Sequence, residues 1–302
     1  MSCPGHIQVF NQGLKSYKDL PLKYAEFGVV HRNEPSGTLH GLLRIRAFTQ
    51  DDAHIFCTSD QIEHEISLLI NDIKSIYERF GFNDLKIELS TRPEKRVGSE
   101  EIWDKAESSL KKALESNKID FTVNPGDGAF YGPKIDFSLR DSLGRVWQLG
   151  TIQLDFSMPG RLDASYIDSD GNKEVPVMIH RAILGSLERF VGILIEHYSG
   201  NLPLWLSPVQ VILLNITDTQ REYTSSLNEQ LQGLGLRSEC DLSNEKIGYK
   251  IRNHAMTRVP YMLIVGEKEL ENKTVSVRDR AGNDLGDMTI DTFTDLLNKE
   301  IS

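Results

Sequence analysis

Two hydrophobic spacings alternate through the first 200 residues. Apolar residues three or four positions apart predict amphipathic helices, and apolar residues that alternate with polar ones predict half-buried strands. The helices are predicted at 7–17, 62–80, 101–114 and 182–198. The strands are predicted at 25–33, 43–58, 85–89, 135–139, 147–154 and 175–179. Because the turn-rich segment 35–41 joins two strands as a long antiparallel hairpin, we expect a mostly antiparallel sheet flanked by helices, which is an α+β fold.

The pattern changes after a boundary at 199–208, where Gly200 and two prolines interrupt the chain. Strands are predicted at 209–214, 237–241, 261–265 and 274–277, and helices at 220–231, 245–256 and 290–301. This order of elements predicts a compact α/β module that is smaller than the first domain. We therefore predict two domains, at 1–200 and 207–302.

The charge balance limits the partners that the chain can have. Its 34 basic and 44 acidic side chains give a net charge of −10. A protein that coats nucleic acid without sequence preference usually has a basic domain, so the balance argues against that class. Any phosphate binding must therefore come from a few well-placed arginines.

Several features indicate an intracellular protein. No apolar run approaches the ~18–20 residues of a membrane helix, so no membrane partner is expected. The first six residues lack the basic and apolar regions of a signal peptide. The three cysteines, Cys3, Cys57 and Cys240, are too few for a disulfide framework and fit a reducing cytosol. We expect a cytoplasmic location.

The predicted hairpin carries candidate anion ligands. Arg32 and Glu34 share one face near the end of the first strand, and Arg44 and Arg46 share one face of the second. Guanidinium groups match phosphate oxygens in pairs, which favours an anion site. On spacing alone, ordinary cross-strand ion pairs on a solvated face are the commoner explanation.

A further arginine lies in the last predicted helix of the first domain. Arg189 follows Gly185 by four residues, and a glycine there would let the helix approach another backbone closely. Taken alone, Arg189 fits a side chain that reaches solvent along an apolar surface better than it fits a buried phosphate ligand.

Cys3, His54 and His180 are the candidate metal ligands. Cysteine and histidine are good zinc ligands, and three protein ligands leave a fourth position open. However, 51 and 126 residues separate the three positions, so no local finger supports the idea. On spacing alone, core or surface histidines are commoner.

The glycine-rich stretch 126–134 does not form a known phosphate loop. It fails the Walker pattern because Pro133 intervenes and a strand follows. Neither Gly-x-Gly-x-x-Gly nor Gly-x-Ser-x-Gly is present. These absences argue against a P-loop NTPase, a Rossmann dehydrogenase and an α/β-hydrolase.

Taken together, several segments resemble the class II aminoacyl-tRNA synthetases. HRNE at 31–34 with RIRAFTQDD at 44–52 resembles motif 2, and GSLER at 185–189 resembles motif 3. Four further segments are similar to the threonyl-tRNA synthetase family of class IIa: CPGH at 3–6, DAH at 52–54, FYGPK at 130–134 and VMIHR at 177–181. The resemblance runs nearly end to end, and implies an antiparallel-sheet catalytic domain followed by an α/β anticodon-binding domain.

The resemblance implies a two-step reaction. The carboxylate of L-threonine attacks the α-phosphorus of ATP, and a ribose hydroxyl at the 3′ end of tRNA(Thr) then attacks the threonyl-adenylate. It implies Arg32 and Arg189 as catalytic residues and Mg²⁺ on the phosphate oxygens. The implied nucleotide-binding residues are Arg32, Glu34, Arg44, Phe48, Gln148, Thr151 and Arg189.

The resemblance also implies a zinc ion that recognises the amino acid. Cys3, His54 and His180 would hold it, and the amino and hydroxyl groups of threonine would complete its coordination. The implied threonine-binding residues are Gln50, Asp52, Tyr131, Lys134 and Gln153. A site built to bind a hydroxyl rejects valine by ~10⁴ or more, whereas serine lacks only a methyl and is rejected poorly.

In the C-terminal module, the resemblance implies four residues that read the anticodon: Asn244, Arg252, Glu269 and Arg278. Side chains of these types can hydrogen-bond unstacked bases. Taken singly, each of them fits an ordinary exposed charged or polar position equally well.

Full-length members of the family form homodimers through an upstream motif 1 and usually carry an N-terminal editing domain. Because the chain begins near Cys3, we expect a truncated catalytic core without that dimer contact and without proofreading. Three alternatives stay open: a non-catalytic tRNA-binding module, a class IIa synthetase for proline, glycine or histidine, and a zinc hydrolase. The hydrolase lacks a clearly placed general base.

Overall fold

A computed structural model describes residues 2–301, and the chain divides into two compact units, Met1–His197 and Tyr198–Ser302. The helices of the first unit are α1 (Cys3–Phe10), α2 (Ile62–Arg79), α3 (Glu100–Ser116), α4 (Met158–Arg161) and α5 (Leu187–His197). Its strands are β1 (Leu22–His31), β2 (Ala47–Cys57), β3 (Lys86–Ser90), β4 (Thr122–Asn124), β5 (Lys134–Arg140), β6 (Val146–Asp155), β7 (Tyr166–Ile167), β8 (Lys173–Glu174) and β9 (Val177–Ser186).

Seven of these strands form one sheet in the order β1-β2-β9-β6-β5-β3-β4. Every neighbouring pair is antiparallel except β3 and β4. Strands β7 and β8 form a separate small hairpin. The predicted α+β class, with an antiparallel sheet as its main layer, is confirmed.

The register of the sheet aligns polar residues in rows across its central strands. One row contains Lys134, Gln153, His180 and His54, and the next contains Asp136, Thr151, Ala182 and Asp52. Because residues two apart on a strand share a face, both rows lie on the same face, one pleat repeat apart. Residues that are far apart in sequence therefore meet on one surface.

Apolar residues of the same strands point the other way, toward the helices. Helix α2 buries the stripe that contains Ile66, Ile70, Ile73 and Tyr77, as its helical spacing predicts. The Tyr77 hydroxyl donates to the carbonyl oxygen of Ile183 at 2.5 Å. This hydrogen bond satisfies a buried phenol and joins the helix layer to β9.

The first helix is shorter than its spacing predicts. It ends at Phe10, and Leu14, predicted to lie on its apolar face, is 89% exposed. The chain instead becomes extended, because Ser16 bridges to Ile167 of β7 and Ile167 N donates to the Lys15 carbonyl at 2.9 Å. Pairing with β7 therefore replaces further helical turns.

The prediction that residues 182–186 begin a helix is wrong, because they extend β9 between β2 and β6. Gly185 lies in this strand at φ +71°, and a Cβ there would stand 2.4 Å from the Leu149 carbonyl oxygen. The close approach expected of this glycine is present, but it is made by a strand. Helix α5 begins two residues later, at Leu187.

The second unit is a five-stranded sheet with helices. Its strands are β10 (Val211–Asn215), β11 (Ser238–Asp241), β12 (Tyr261–Val265), β13 (Val275–Asp279) and β14 (Asp284–Met288), and its helices are α6 (Arg221–Gly233), α7 (Ile247–Met256), α8 (Glu267–Asn272) and α9 (Ile290–Ile301). The order is β11-β10-β12-β13-β14, parallel across the first three strands and antiparallel beyond. The predicted α/β module is confirmed. Strand β14 was not predicted because most of it is exposed and it lacks apolar alternation.

Strand β10 is buried along its whole length. Val211 and Leu213 belong to one apolar cluster, and Ile212 and Leu214 to another on the opposite face. The sequence of a strand that is covered on both faces is a continuous run of apolar residues, and such a run at 209–214 predicted this strand. Among the helices of residues 2–301, none is both long enough and apolar enough to cross a membrane.

Candidate active site

One cleft of the first unit contains all seven residues that the resemblance implies for the nucleotide. Its lining includes Arg32, Glu34, Arg44, Phe48, Gln148, Thr151 and Arg189. Three parts of the chain meet there: the hairpin of β1 and β2, strand β6, and the junction of β9 with α5. Gln50, implied for threonine, lines the same cleft.

The motif 2 arginines differ in what they contact. Arg44 donates to the Glu34 carboxylate, with Nε and Nη2 at 3.1 and 3.0 Å from Oε2. Arg46 donates to the Glu34 carbonyl at 3.0 Å and to the Ser36 hydroxyl at 3.0 Å. Arg46 therefore stabilises the turn, whereas Arg44 and Glu34 form an ion pair inside the cleft.

Arg189 is held by backbone carbonyls. Its Nε donates to the Leu43 carbonyl at 2.6 Å and its Nη1 to the Gln148 carbonyl at 2.7 Å. Burial lowers the pKa of Arg189, and the positive charges of Arg32 and Arg44 lower it further. Three guanidinium groups that repel one another across a cleft are an electrostatic setting for a polyanion.

The Phe48 ring is already covered on one side. Phe48 is 8% exposed, and the Arg32 guanidinium carbon lies 5.1 Å from its ring centroid, within cation–π range. Arg32 therefore covers one face of the ring.

Two carboxylates that sequence reasoning did not single out, the half-buried Glu188 and the buried Asp51, hold neighbouring parts of the chain together beside the cleft. Glu188 accepts from Thr49 N at 2.9 Å and from the Ser186 hydroxyl at 2.9 Å. Asp51 accepts from three consecutive backbone N–H groups of β9, those of residues 183, 184 and 185, at 2.8 to 3.0 Å. Glu188 ties β2 to the start of α5, and Asp51 ties β2 to the end of β9; only the tertiary pairing reveals these contacts.

The structure brings Cys3, His54 and His180 together, from α1, β2 and β9 respectively. One ligand atom of each lies within 4.8 Å of the others, and all three residues are buried. His54 Nε2 is 3.0 Å from His180 Nδ1. The donor set of one thiol and two imidazoles is one that zinc prefers.

The second ring nitrogen of each histidine has its own partner. His54 Nδ1 is 2.7 Å from His6 Nδ1, and His180 Nε2 is 3.1 Å from Asp155 Oδ2. Ligating histidines usually make such a bond with the nitrogen that faces away from the metal. Burial, with neighbouring His180 and His6, lowers the pKa of His54 to about 2 and keeps it neutral, the form that binds metals. Burial acts to lower the pKa of His180 as well, but its hydrogen bonds with Asp155 and Cys3 outweigh burial and raise the pKa to about 9, so a metal would have to displace its proton. The residues therefore fit a zinc ion.

Four of the five residues implied for threonine lie near this cluster: Asp52, Tyr131, Lys134 and Gln153. The Tyr131 hydroxyl donates to Gln153 Oε1 at 2.9 Å, and the Tyr131 ring centroid lies 5.3 Å from that of His180. Asp52 Oδ1 is 3.8 Å from His54 Nε2. Lys134 lies opposite Gln153 in the sheet. These residues therefore lie beside the cluster of Cys3, His54 and His180, on the sheet face that carries the arginine cleft.

Gly132 allows this arrangement to form. A Cβ at Gly132 would stand 1.8 Å from the Leu154 carbonyl oxygen, so only glycine lets this loop lie against β6. Gln153 Nε2 donates to the Gly132 carbonyl at 3.3 Å. The glycine-rich stretch thus holds Tyr131 against the sheet.

In the second unit, the four residues implied for the anticodon lie on one loop and three elements. Asn244 follows β11 and is exposed, Arg252 is exposed on α7, and Glu269 lies in α8, where it accepts from Gly266 N at 2.8 Å. Arg278 lies in β13 opposite Met262, and its Nε is buried without a hydrogen-bond partner. Asn244 and Glu269 thus follow the carboxyl ends of β11 and β12, two parallel strands with β10 between them, whereas Arg278 lies toward the other end.

Two families match the chain. Residues 1–198 match the tRNA synthetase class II core domain (G, H, P, S and T), and residues 209–300 match the anticodon binding domain. The threonine–tRNA ligase of Halorhodospira halophila is 62% identical over 302 residues, which are 100% of this chain and 47% of that protein. The threonine–tRNA ligase of Alkalilimnicola ehrlichii is 62% identical with the same coverage. The chain spans about half the length of these relatives.

Solved structures that are similar to this chain are also tRNA synthetases. The RNA binding domain of threonyl-tRNA synthetase from Cryptosporidium parvum Iowa II has a TM-score of 0.93 and 44% identity, over 99% of this chain and 76% of that one. A prolyl-tRNA synthetase of C. parvum, with a TM-score of 0.72 and 21% identity, shares the fold. The resemblance drawn from the motifs is confirmed, and the chain belongs to the threonyl-tRNA synthetase family of class II tRNA synthetases.

Proposed function

We propose that this chain activates L-threonine with ATP and transfers it to the 3′ end of tRNA(Thr). The observation that carries the proposal is the buried Cys3, His54 and His180 cluster on the sheet face that also carries the arginine cleft. A metal-ligating donor set next to a polyanion site fits an amino acid and a nucleotide in adjacent positions.

The cleft residues suit the first step. A carboxylate oxygen of threonine attacks the α-phosphorus of ATP and expels pyrophosphate, with Mg²⁺ on the phosphate oxygens. Negative charge grows on the α-phosphate as the new bond forms, so Arg32 and Arg189 act by electrostatic stabilisation. Arg44 would contact the terminal phosphates. No side chain need act as a nucleophile, because holding the two substrates in line is sufficient.

The metal site suits selection of the amino acid. Cys3, His54 and His180 would hold Zn²⁺, and the ion would act as a Lewis acid toward both the amino and the hydroxyl group of threonine. Asp52 lies beside this cluster and would accept from the hydroxyl. Valine would leave this carboxylate without its hydrogen bond, which is how a polar site rejects an apolar isostere.

The second unit would bind the anticodon of tRNA(Thr) through Asn244, Arg252, Glu269 and Arg278. Within this proposal, residues 1–200 form the catalytic domain and residues 207–302 the anticodon-binding domain. The expected location is the cytoplasm.

The test is amino-acid-dependent exchange of pyrophosphate into ATP by the purified chain. We expect exchange with threonine, weaker exchange with serine, and none with valine. Arg32→Ala should lower the exchange rate by about 100-fold or more, because it removes a charge-assisted contact to the transition state. The matched control is Arg140→Ala, an exposed arginine at the end of β5, which should leave the rate unchanged.

Other outcomes separate the alternatives. Exchange with proline, glycine or histidine instead of threonine would replace the substrate assignment. A folded chain that binds tRNA(Thr) without any exchange would be a non-catalytic tRNA-binding module.

A further inference from the structure

A buried carboxylate that no motif singles out lies between the two halves of the candidate site. Asp136 is in the middle of β5 and is 4% exposed. Its Oδ2 accepts from the Lys134 ammonium at 2.6 Å and from the Ser90 hydroxyl at 2.7 Å. Its Oδ1 accepts from Gln148 Nε2 at 2.5 Å and from the Thr151 hydroxyl at 3.3 Å.

The partners of Asp136 divide by role. Lys134 belongs to the residues assigned to threonine, whereas Gln148 and Thr151 belong to those assigned to the nucleotide. Each oxygen of the carboxylate therefore faces one group: Oδ2 faces the amino acid side and Oδ1 faces the nucleotide side. Ser90 on β3 is the only one of the four that has no assigned substrate role.

An ionised carboxylate can only accept hydrogen bonds, and this decides what its partners present to a ligand. Gln148 must turn its amide nitrogen to Asp136, which leaves its Oε1 as an acceptor. Thr151 must give Asp136 its single proton, which leaves its oxygen lone pairs. Acceptors of this kind fit the ribose hydroxyls of a nucleotide.

Lys134 presents a donor to a ligand, whereas Gln148 and Thr151 present acceptors. Two of the three ammonium protons of Lys134 point toward Asp136 and toward Asp127, whose Oδ2 is 3.2 Å away. One proton is left for a ligand, and a donor at this place fits the carboxylate of an amino acid. The same buried charge thus fixes a donor on one side and two acceptors on the other.

Resting on the proposed function, we propose that Asp136 is a positioning residue that holds the threonine side and the nucleotide side in one hydrogen-bonded frame. It touches neither substrate. It sets the hydrogen-bonding polarity of Lys134, Gln148 and Thr151, and the spacing between them. Its removal should therefore matter most for a ligand that spans both sides.

The test measures the binding of three probes to the full chain by calorimetry: L-threonine, AMP, and a sulfamoyl analogue of threonyl-adenylate. In Asp136→Asn the amide offers one donor and one acceptor, so one side must lose its bonds. We expect the affinity for the joined analogue to fall about 100-fold, as the loss of charge-assisted bonds implies. Each separate ligand should lose about 3-fold or less.

Two variants distinguish positioning from folding. Ser90→Ala removes one bond to the same carboxylate without altering a substrate-side group, and should leave analogue affinity within about 3-fold of wild type. Asp136→Glu keeps two acceptor oxygens, and should bind the analogue at least about 10-fold more tightly than Asp136→Asn. Equal losses for all three probes, or the same loss in Ser90→Ala, would overturn the proposal.

If Asp136→Asn does not fold, a double-mutant cycle replaces it. Lys134→Met and Gln148→Met remove the partners on opposite sides of Asp136. Strong non-additivity in analogue affinity supports the shared frame, and simple additivity refutes it. A wild-type chain that binds no analogue at all would refute the proposed function, whereas tight wild-type binding that Asp136→Asn leaves intact would refute only the role of Asp136.

Discussion

At the scale of the residue, this protein relies on side chains whose polar atoms each have a defined partner. His54 and His180 turn one ring nitrogen toward each other and the second toward His6 and Asp155, respectively. Arg189 is oriented by two carbonyl oxygens before any ligand arrives. Such preorganisation reduces the conformational free-energy cost of ordering the site when a substrate binds.

Removing one metal ligand should abolish both metal binding and catalysis. We expect His54→Ala to lose zinc and threonine-dependent exchange together, because two remaining ligands hold the ion poorly. Metal content of the purified chain, measured by atomic spectrometry, is the readout. The matched control is His64→Ala, an exposed histidine on α2. Equal zinc in wild type and His54→Ala would refute the ligand assignment.

At the scale of the element, the position of each active-site residue follows from strand pairing. Strand β9 lies between β2 and β6, so its residues join both neighbours in the polar rows. Where β9 continues to Ser186, Asp51 accepts hydrogen bonds from its backbone and Gly185 passes close to β6. The start of α5, and with it Arg189, is placed by this strand.

Gly185→Ala should therefore destabilise the first unit. The left-handed backbone at φ +71° costs about 1–2 kcal/mol for alanine, and the contact with the Leu149 carbonyl adds to it. Urea unfolding followed by circular dichroism measures the loss. The control is Gly5→Ala in α1, where nothing lies within 4 Å of the added Cβ, and it should be neutral or stabilising. Equal stability of the two variants would contradict this account.

The turn between β5 and β6 should give the fold a dependence on acidic pH. Asp141 accepts from Trp147 Nε1 and Arg145 N at 2.8 Å each. Burial raises the pKa of Asp141, but the bonds to Trp147 and Arg145 outweigh it and lower the pKa to about 2. A lowered pKa stabilises the fold above the unfolded value near 3.9, and this stabilisation is lost as pH falls toward 2.

The difference in melting temperature between wild type and Asp141→Asn should therefore be full above about pH 4 and should shrink toward pH 2. Calorimetry at several pH values measures it. The exposed Asp120→Asn is the control and should show no such trend. A constant difference across the range would rule out titration of Asp141 as the cause.

At the scale of the whole molecule, the two units carry different parts of the proposed function. The first holds the cluster of Cys3, His54 and His180 and the arginine cleft, and the second is a separate α/β sheet with its own apolar clusters. Each unit therefore has its own means of stability. Residues that read the anticodon should be separable from residues that activate the amino acid.

Asn244→Ala combined with Arg252→Ala should weaken tRNA(Thr) binding by about 10-fold or more, because base contacts are lost, while threonine-dependent exchange stays unchanged. Filter binding and pyrophosphate exchange measure the two effects. Lys299→Ala, an exposed lysine on α9, is the control for simple loss of charge. Unaltered tRNA affinity in the double variant would remove these two residues from the anticodon site.

The spacing of apolar residues along the sequence was sufficient to predict many of the helices and strands. The stripe of α2, the alternation in β5 and the buried run of β10 each predicted the right element, because burial imposes a period on the side chains that face the core. Short exposed pieces such as β14 have no such period and were missed. Likewise, an apolar spacing that ran on to Leu14 did not keep α1 helical past Phe10.

The motifs identified which residue types matter, but local order along the chain says nothing about how far apart they lie in space. Cys3, His54 and His180 come together only because the strand register aligns two of them and α1 packs over the sheet. The hydrogen bonds of Asp136 and Glu188 likewise depend on which strands become neighbours. Long-range pairing decides these contacts, since the free energy that selects one register comes from the whole core.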